Sequence, residues 1–416
     1  MTYDTVVIGT GLAGLTAALR LAAEGQRVLV VARGVGSTHL APATIDVLGY
    51  ANEVVDSPMQ ALSSFADGHP QHPYARLSAE QIGASIDWFK GRLPALGYRG
   101  GLEENFLLPT AVGVARPSAV VPETMANGDL RAGGRFVFVG LKGLKDFYPA
   151  YLAENLGRVS AVSARAIELT PRLDGEADVG SLGFARRFEQ PEFRDAVVHR
   201  LAGLLEPEER VGFPAVLGLG NAGDVWRELE TRLERPVFEV PTLPPSVSGI
   251  RLHEAMNDAL RQSGGRIVVG SPIVGAESGN GRLEGVVARA SARPTTYRAR
   301  SFVLASGGLA AGGIQVDSYG KIREAVFDLA LANLPAADGR PPFLPTYLEE
   351  QPLDRVGVAV DDRLRPTAED GQPRYENLYA AGATLAGAVP WREASGNGIS
   401  LATGYAAAGA ILGSDS

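Results

Sequence analysis

The sequence predicts an α/β protein with a doubly wound, largely parallel sheet, interrupted by a second block of α/β material. Three observations predict it. An apolar run, Thr5-Val-Val-Ile8, leads directly into three glycines, Gly9, Gly11 and Gly14. Leu12, Leu15, Leu19 and Ala22 then recur at helical spacing up to Glu24-Gly25, and Val28 to Val31 restores strand character. Strand-and-glycine punctuation returns near the other end of the chain, at Ser301 to Gly308 and Glu376 to Gly382. A short apolar run without alternation is the mark of a strand buried on both faces, which parallel sheets require.

The first 31 residues therefore read β-α-β. Gly9-Thr-Gly11-Leu-Ala-Gly14 follows the strand and opens the helix. In that setting the first glycine permits a tight turn and the second admits a pyrophosphate. The third lets helix and sheet pack closely, with the helix N-terminus facing the anion. This is a Rossmann-like FAD/NAD(P)-binding fold, and Gly9, Gly11, Leu12, Ala13 and Gly14 are its expected cofactor contacts. The carboxylate that normally holds an adenosine ribose is missing: its position falls on Ala32, followed by Arg33. Arg33 is open to three readings: a 2′-phosphate contact, a flavin phosphate contact, or a solvated side chain.

From about Gly49 to Pro109 the chain is loop-rich, with one helix expected near Ala79 to Leu93. Strands are expected at Phe136 to Val139, Val211 to Leu217 and Pro236 to Val240. Helices are expected near 144–156, 193–205 and 222–233. The proline-dense segment Val240 to Leu252 precedes a helix from Ser248 to Gln262 that Ser246 or Ser248 caps. It reads either as a rigid connector or as a wall beside the cofactor that presents Arg251. Strands at 266–269, 296–305 and 378–381, and a helix after Gly396, complete the sheet. The expected division is a discontinuous cofactor domain over 1–55, 240–310 and 370–416, with an inserted substrate or cap domain over 56–239 and 311–369. A length of 416 residues suits two domains at roughly 150 residues each.

Composition narrows the chemistry. A net charge of -8 with no basic run argues against nucleic acid or anionic lipid as a partner. With no cysteine there is no disulfide, no thiolate nucleophile and no cysteine-ligated iron–sulfur cluster, and no metal site is expected. The N-terminus lacks a secretory pattern, and the most apolar long segment, 399–412, is short and broken by Gly404 and Gly409. A cytoplasmic chain without a membrane span of its own is the expectation.

The far end separates flavin from nicotinamide. Glu376-Asn-Leu-Tyr-Ala-Ala-Gly382 resembles the closing strand and glycine of two-dinucleotide-fold flavoproteins, and Ser395-Gly-Asn-Gly398-Ile-Ser-Leu opens a helix of small residues. In that class the helix N-terminus faces the pyrimidine edge of the flavin ring, where negative charge develops on reduction. Thr38, His39, Val274, Ser306, Gly307, Gly382, Gly398, Ile399 and Ser400 join Arg33 and the glycine turn as expected flavin contacts.

These segments, with Thr38-His-Leu, Thr44-Ile-Asp-Val-Leu48, His72-Pro-Tyr74, Val139 to Phe147 and Pro241 to Leu252, resemble the B subunit of anaerobic glycerol-3-phosphate dehydrogenase over essentially the whole chain. The resemblance implies oxidation of sn-glycerol 3-phosphate to dihydroxyacetone phosphate, with electrons passed to quinone through partner subunits. It also implies two partners, an FAD-containing catalytic-type subunit, and a third, iron–sulfur subunit that confers membrane association. In this chain it implies a flavin, FMN by preference and FAD otherwise. Hydride transfer to the flavin needs a base, and the phosphate needs cations. His39 is the candidate base, flavin contact or attachment point. Arg251, Lys142 and Arg392 are the candidate phosphate ligands. The other class of reading is a non-catalytic flavin relay or structural member of the same complex; a third is a fumarate-reductase-like flavoenzyme.

Overall fold

The computed structural model describes residues 2–159, 161–172, 178–290, 293–335 and 342–414. It opens as the sequence predicts: strand β1 (Thr2–Ile8), helix α1 (Leu12–Ala23) and strand β2 (Val28–Ala32). Gly25 ends the helix turn at a φ of 84°, a conformation that costs glycine nothing. Helix α2 (Ala79–Arg92) starts from Ser78, whose hydroxyl accepts from Gln81 N while the Gln81 side chain accepts from the Ser78 N–H. The stretch before it carries an additional helix, Pro58–Gly68, that the loop-rich composition hides.

A second sheet follows, of β3 (Gly134–Leu141), β4 (Val162–Leu169), β5 (Glu209–Pro214) and β6 (Val237–Val240), in the order β4-β3-β5-β6 and parallel throughout. Helix α3 (Ala222–Leu233) connects its last two strands. Its core is aromatic: Phe138 meets Phe238 edge-on at a ring separation of 5.8 Å, and Gly212 leaves the room Phe238 takes, since a Cβ there would sit 2.6 Å from that ring. Strand β4 is half-exposed, and its mixed pattern gives no strand signal in the sequence.

Helix α4 (Val247–Gln262) returns the chain to the first sheet, capped by Ser246, which accepts from Gly249 N. Strand β7 (Arg266–Val269), the antiparallel pair β8 (Ile273–Gly279) and β9 (Arg282–Ala288), strand β10 (Thr295–Leu304), strand β11 (Leu378–Ala380) and helix α5 (Gly396–Leu412) complete it. The order is β7-β2-β1-β10-β9-β8. Opposite β1, strand β10 has two neighbours: its first residues pair antiparallel with β9 and its last with β11, in parallel. Within 311–369, Leu329 and Val358 pack with Val6, Ile8 and Phe302, so this stretch lies on the seven-stranded sheet and not with the inserted one.

Helix α5 lies along α1, and the approach is close: a Cβ on Gly404 would run into the Ala13 carbonyl. Among the described residues no helix is long and apolar enough to cross a membrane.

Candidate functional site

The C-terminal ends of β1, β2 and β10 meet at one cleft, where open α/β sheets bind their ligands. Gly9 turns there at a φ of 115°. Its N–H bonds Val31 O at 2.9 Å, while Ala305 N bonds Ile8 O at 2.9 Å. A side chain on Gly9 would run into the Ala305 carbonyl, and one on Gly14 into the Gly9 carbonyl. The turn is folded over by the loop after β2: Thr10 Oγ1 donates to Gly34 O at 2.9 Å and accepts from Gly36 N at 3.0 Å. No side chain caps the first turn of α1, which leaves its N–H groups for an anion.

The cleft encloses about 750 Å³, and its lining includes Gly9, Gly11, Arg33, His39, Val274, Ser306 and Gly307, all expected contacts. Arg289 and Arg323 line it too, and no Asp or Glu does. Leu12, Ala13 and Gly14 follow in the buried start of α1. Arg33 donates from Nη2 to Ala311 O at 2.9 Å, bridging to the loop after β10. The Ser306 and Thr38 hydroxyls are buried without a partner, which suits them to a ligand that supplies one. The tight glycine turn, the uncapped helix, the cationic lining and the orphaned Ser306 hydroxyl fit a phosphate-bearing flavin nucleotide.

His39 bonds Gly36 O through Nδ1 at 2.6 Å. A carbonyl only accepts, so Nδ1 carries the proton and Nε2 is left with a free lone pair. His253 approaches it edge-on at 6.1 Å. That residue, expected on the surface, is half-buried, and its pKa is pushed down by burial, then by His39 and Arg261. The proline-rich segment does hold the wall of this region: Ser246 and Ser248 hydroxyls donate to Ala41 O and Pro42 O at 2.8 and 3.0 Å.

Gly382, Gly398, Ile399 and Ser400 gather where α5 begins. A Cβ on Gly382 would lie 2.7 Å from that of Ala13, and Gly398 N bonds Asp46 O at 3.0 Å. A buried network holds this helix start. Tyr74 N donates to His72 Nδ1 at 3.1 Å, so the ring proton is on Nε2, 3.2 Å from Glu393 Oε2. Ser395 Oγ donates to the same oxygen at 2.8 Å and Val389 N to Oε1 at 2.8 Å. Burial pushes the Glu393 carboxyl up, but these hydrogen bonds outweigh it and hold it below its ordinary value.

A second cavity, about 450 Å³, opens at the start of α5. Gly396 and Asn397 line it with Asp46, Arg116, Ser118, Thr242 and Trp391. Asp46 accepts from Arg116 Nη2 at 2.8 Å and Nε at 3.3 Å, and from Ser118 Oγ at 2.6 Å. Burial pulls the Arg116 pKa down, while the charge and hydrogen bonds of Asp46 raise it further, to a net rise. Sequence reasoning missed Asp46, Arg116 and Thr242. They come from three remote segments with no common spacing.

The four candidates for catalysis do not converge. Arg251 is 7% exposed and wholly engaged: Nη1 and Nη2 bond Glu239 at 2.6 and 2.9 Å, and Nε bonds Gly218 O at 2.8 Å. Thr124 Oγ1 and Leu217 N complete the shell around Glu239. Arg251 is thus an internal tie between α4 and β6, not a phosphate ligand. Lys142 is an exposed residue on the turn after β3 and lines neither cavity. Arg392 donates to Leu348 O at 2.9 Å and lines a third cavity of about 530 Å³ with Glu350, Arg355 and Glu393. Only His39 stands at the cofactor cleft.

Comparison with known proteins agrees with this geometry. A family model described as "FAD binding domain" matches residues 4–399. The B subunit of anaerobic glycerol-3-phosphate dehydrogenase from Pectobacterium carotovorum is 32% identical over 99% of this chain and 99% of its own. The probable B subunit of anaerobic glycerol-3-phosphate dehydrogenase from Halobacterium salinarum is 34% identical over 97% of this chain and 96% of its own. Among solved structures, 3-ketosteroid delta1-dehydrogenase from Sterolibacterium denitrificans aligns with a TM-score of 0.48 at 13% identity, over 99% of this chain and 100% of that one. The preference for FMN finds no support in the matched family, whose description names FAD. The chain belongs to the FAD-binding oxidoreductases and, among them, to the B-subunit family of anaerobic glycerol-3-phosphate dehydrogenase.

Proposed function

We propose that this chain is the FAD-holding redox component of a glycerol-3-phosphate-oxidising complex. The observation that carries the reading is the cleft at the ends of β1, β2 and β10, with its glycine turn, orphaned Ser306 hydroxyl and three arginines unopposed by any lining carboxylate. Gly9, Gly11 and the first N–H groups of α1 would hold the pyrophosphate. Arg289, Arg323 and Val274 extend the cleft past the end of β2, which gives an adenosine somewhere to lie. This favours FAD over FMN even though Ala32 offers the ribose no carboxylate.

When bound, the flavin supplies a two-electron acceptor for the carbinol hydrogen of a hydroxy substrate. The chain's own part is to position it. The buried His72, Glu393 and Ser395 network fixes the start of α5, and His39 presents a free Nε2 at the cleft. In this reading the complex oxidises sn-glycerol 3-phosphate to dihydroxyacetone phosphate and passes electrons towards quinone. Its partners are a second FAD-bearing protein and an iron–sulfur protein at the cytoplasmic face of the membrane.

One observation favours a relay over direct substrate oxidation by this chain. The cations expected to grip the phosphate are spent elsewhere, Arg251 on Glu239 and Arg116 on Asp46. The deciding experiment is acid release and chromatography of the flavin from the purified chain, then anaerobic addition of glycerol 3-phosphate with and without the partner proteins. Release of FAD and bleaching only with the partners is the result expected of a relay; bleaching of the isolated chain makes it the catalytic component. A colourless protein that takes up neither FAD nor FMN defeats the reading.

A further inference from the structure

The cavity at the start of α5 has a lining that balances to zero formal charge. Its one cation, Arg116, is bonded to its one carboxylate, Asp46. Much of the remaining wall is flat and apolar, formed by the rings of Pro42, Pro109, Pro241 and Pro390 and the indole of Trp391. Hydrogen-bonding capacity is left over. Arg116 spends Nε and Nη2 on Asp46, and Nη1 has no partner among the described residues. Thr242 Oγ1 is buried with no partner. No side chain caps the first turn of α5, where Gly396 and Asn397 line the cavity.

These features select against a phosphate ester. A group carrying nearly two negative charges would leave water for a site with no uncompensated cation, and desolvation of such an anion is repaid only by opposite charge. An uncharged ring bearing carbonyl oxygens meets the site on better terms. Its faces lie against proline and indole rings, and its oxygens accept from Arg116 Nη1, the Thr242 hydroxyl or the helix N–H groups.

We propose that this cavity binds an uncharged, flat, carbonyl-bearing ring of the quinone class, and that the phosphorylated substrate is not held here. The proposal rests on the redox reading above, because the start of α5 is where that reading places the flavin ring.

The test uses the full-length, flavin-loaded chain and menadione, an uncharged naphthoquinone. Trp391 lines the cavity and is one of three tryptophans, so its emission reports occupancy. Saturable quenching by menadione is expected, absent in Trp391→Phe and unaffected by excess glycerol 3-phosphate. Arg116→Leu should weaken binding about tenfold and Thr242→Val about threefold to tenfold, for one lost hydrogen bond each; the second variant keeps the Asp46 pair and guards against misfolding of the first. Quenching that never saturates, quenching that survives Trp391→Phe unchanged, or glycerol 3-phosphate displacing menadione would each overturn the proposal. Flavin content is read separately from visible absorbance, so failure to load flavin defeats the redox reading while the menadione titration still judges the cavity.

Discussion

The two cavities around the flavin helices are built from opposite materials. The cleft at the strand ends is cationic, with Arg33, Arg289 and Arg323 and no carboxylate in its lining. The cavity at the start of α5 is balanced, one arginine against one aspartate, among proline rings. In a chain of net charge -8, cations left unopposed in the first and cancelled in the second mark where phosphates belong. The difference teaches that the arginine to look for is an unspent one. Counting Arg and Lys near a motif led to Arg251, whose charge is already consumed.

The contrast is broken most severely at the glycine turn. Gly9→Val puts side-chain atoms into the Ala305 carbonyl at a positive φ, so the purified variant should lack flavin absorbance altogether; a yellow Gly9→Val protein would mean that the cleft is not where the cofactor sits. Next in size is the spent arginine. Arg251→Met leaves Glu239 buried and unpaired, which should cost about 3–5 kcal/mol in chemical denaturation. Converting Glu239 to Gln in the same chain should recover part of that loss. A variant that kept its stability and lost only affinity for glycerol 3-phosphate would restore Arg251 to the phosphate. Then come the rim cations: Arg289→Ala and Arg323→Ala should each weaken flavin binding about threefold to tenfold, with a smaller salt dependence than the parent, by titration of the apoprotein.

The smallest effect is one of pH. Glu393 has a folded pKa below its ordinary 4.5. Its contribution is therefore present above that value and fades as pH falls through the lower folded one. Glu393→Gln should be about 1–2 kcal/mol less stable than the parent at pH 7, and the gap should narrow in acid. Equal gaps at both ends of the range would assign the loss to packing instead of charge.

Local signals were legible in the sequence and long-range ones were not. The β-α-β start, the glycine turn and the helix at Gly396 each follow from residues within about one helix length of one another. Helix α2 could be read from Ser78 and Gln81 alone. The order β4-β3-β5-β6 could not, because parallel strands buried on both faces, as β3, β5 and β6 are, carry no register in their pattern. Arg251 and Glu239 are close in the chain, yet the pairing depends on α4 folding back over β6. Asp46, Arg116 and Thr242 share a cavity only because three distant segments are brought to the start of α5, and no periodicity announces that.

The two-sided pairing of β10 has a consequence for how the chain comes into being. Ile8 is bonded through Ala305, and Leu304 in turn lies beside Ala380. The turn that opens the sequence is thus finished by residues some three to four hundred positions later. Closing loops of that length is slow relative to forming local helices. A ribosome-bound chain can fold the four-stranded insert well before the N-terminal turn acquires its neighbours. Cofactor capture should therefore come late in synthesis, after the segment near Leu378 has emerged.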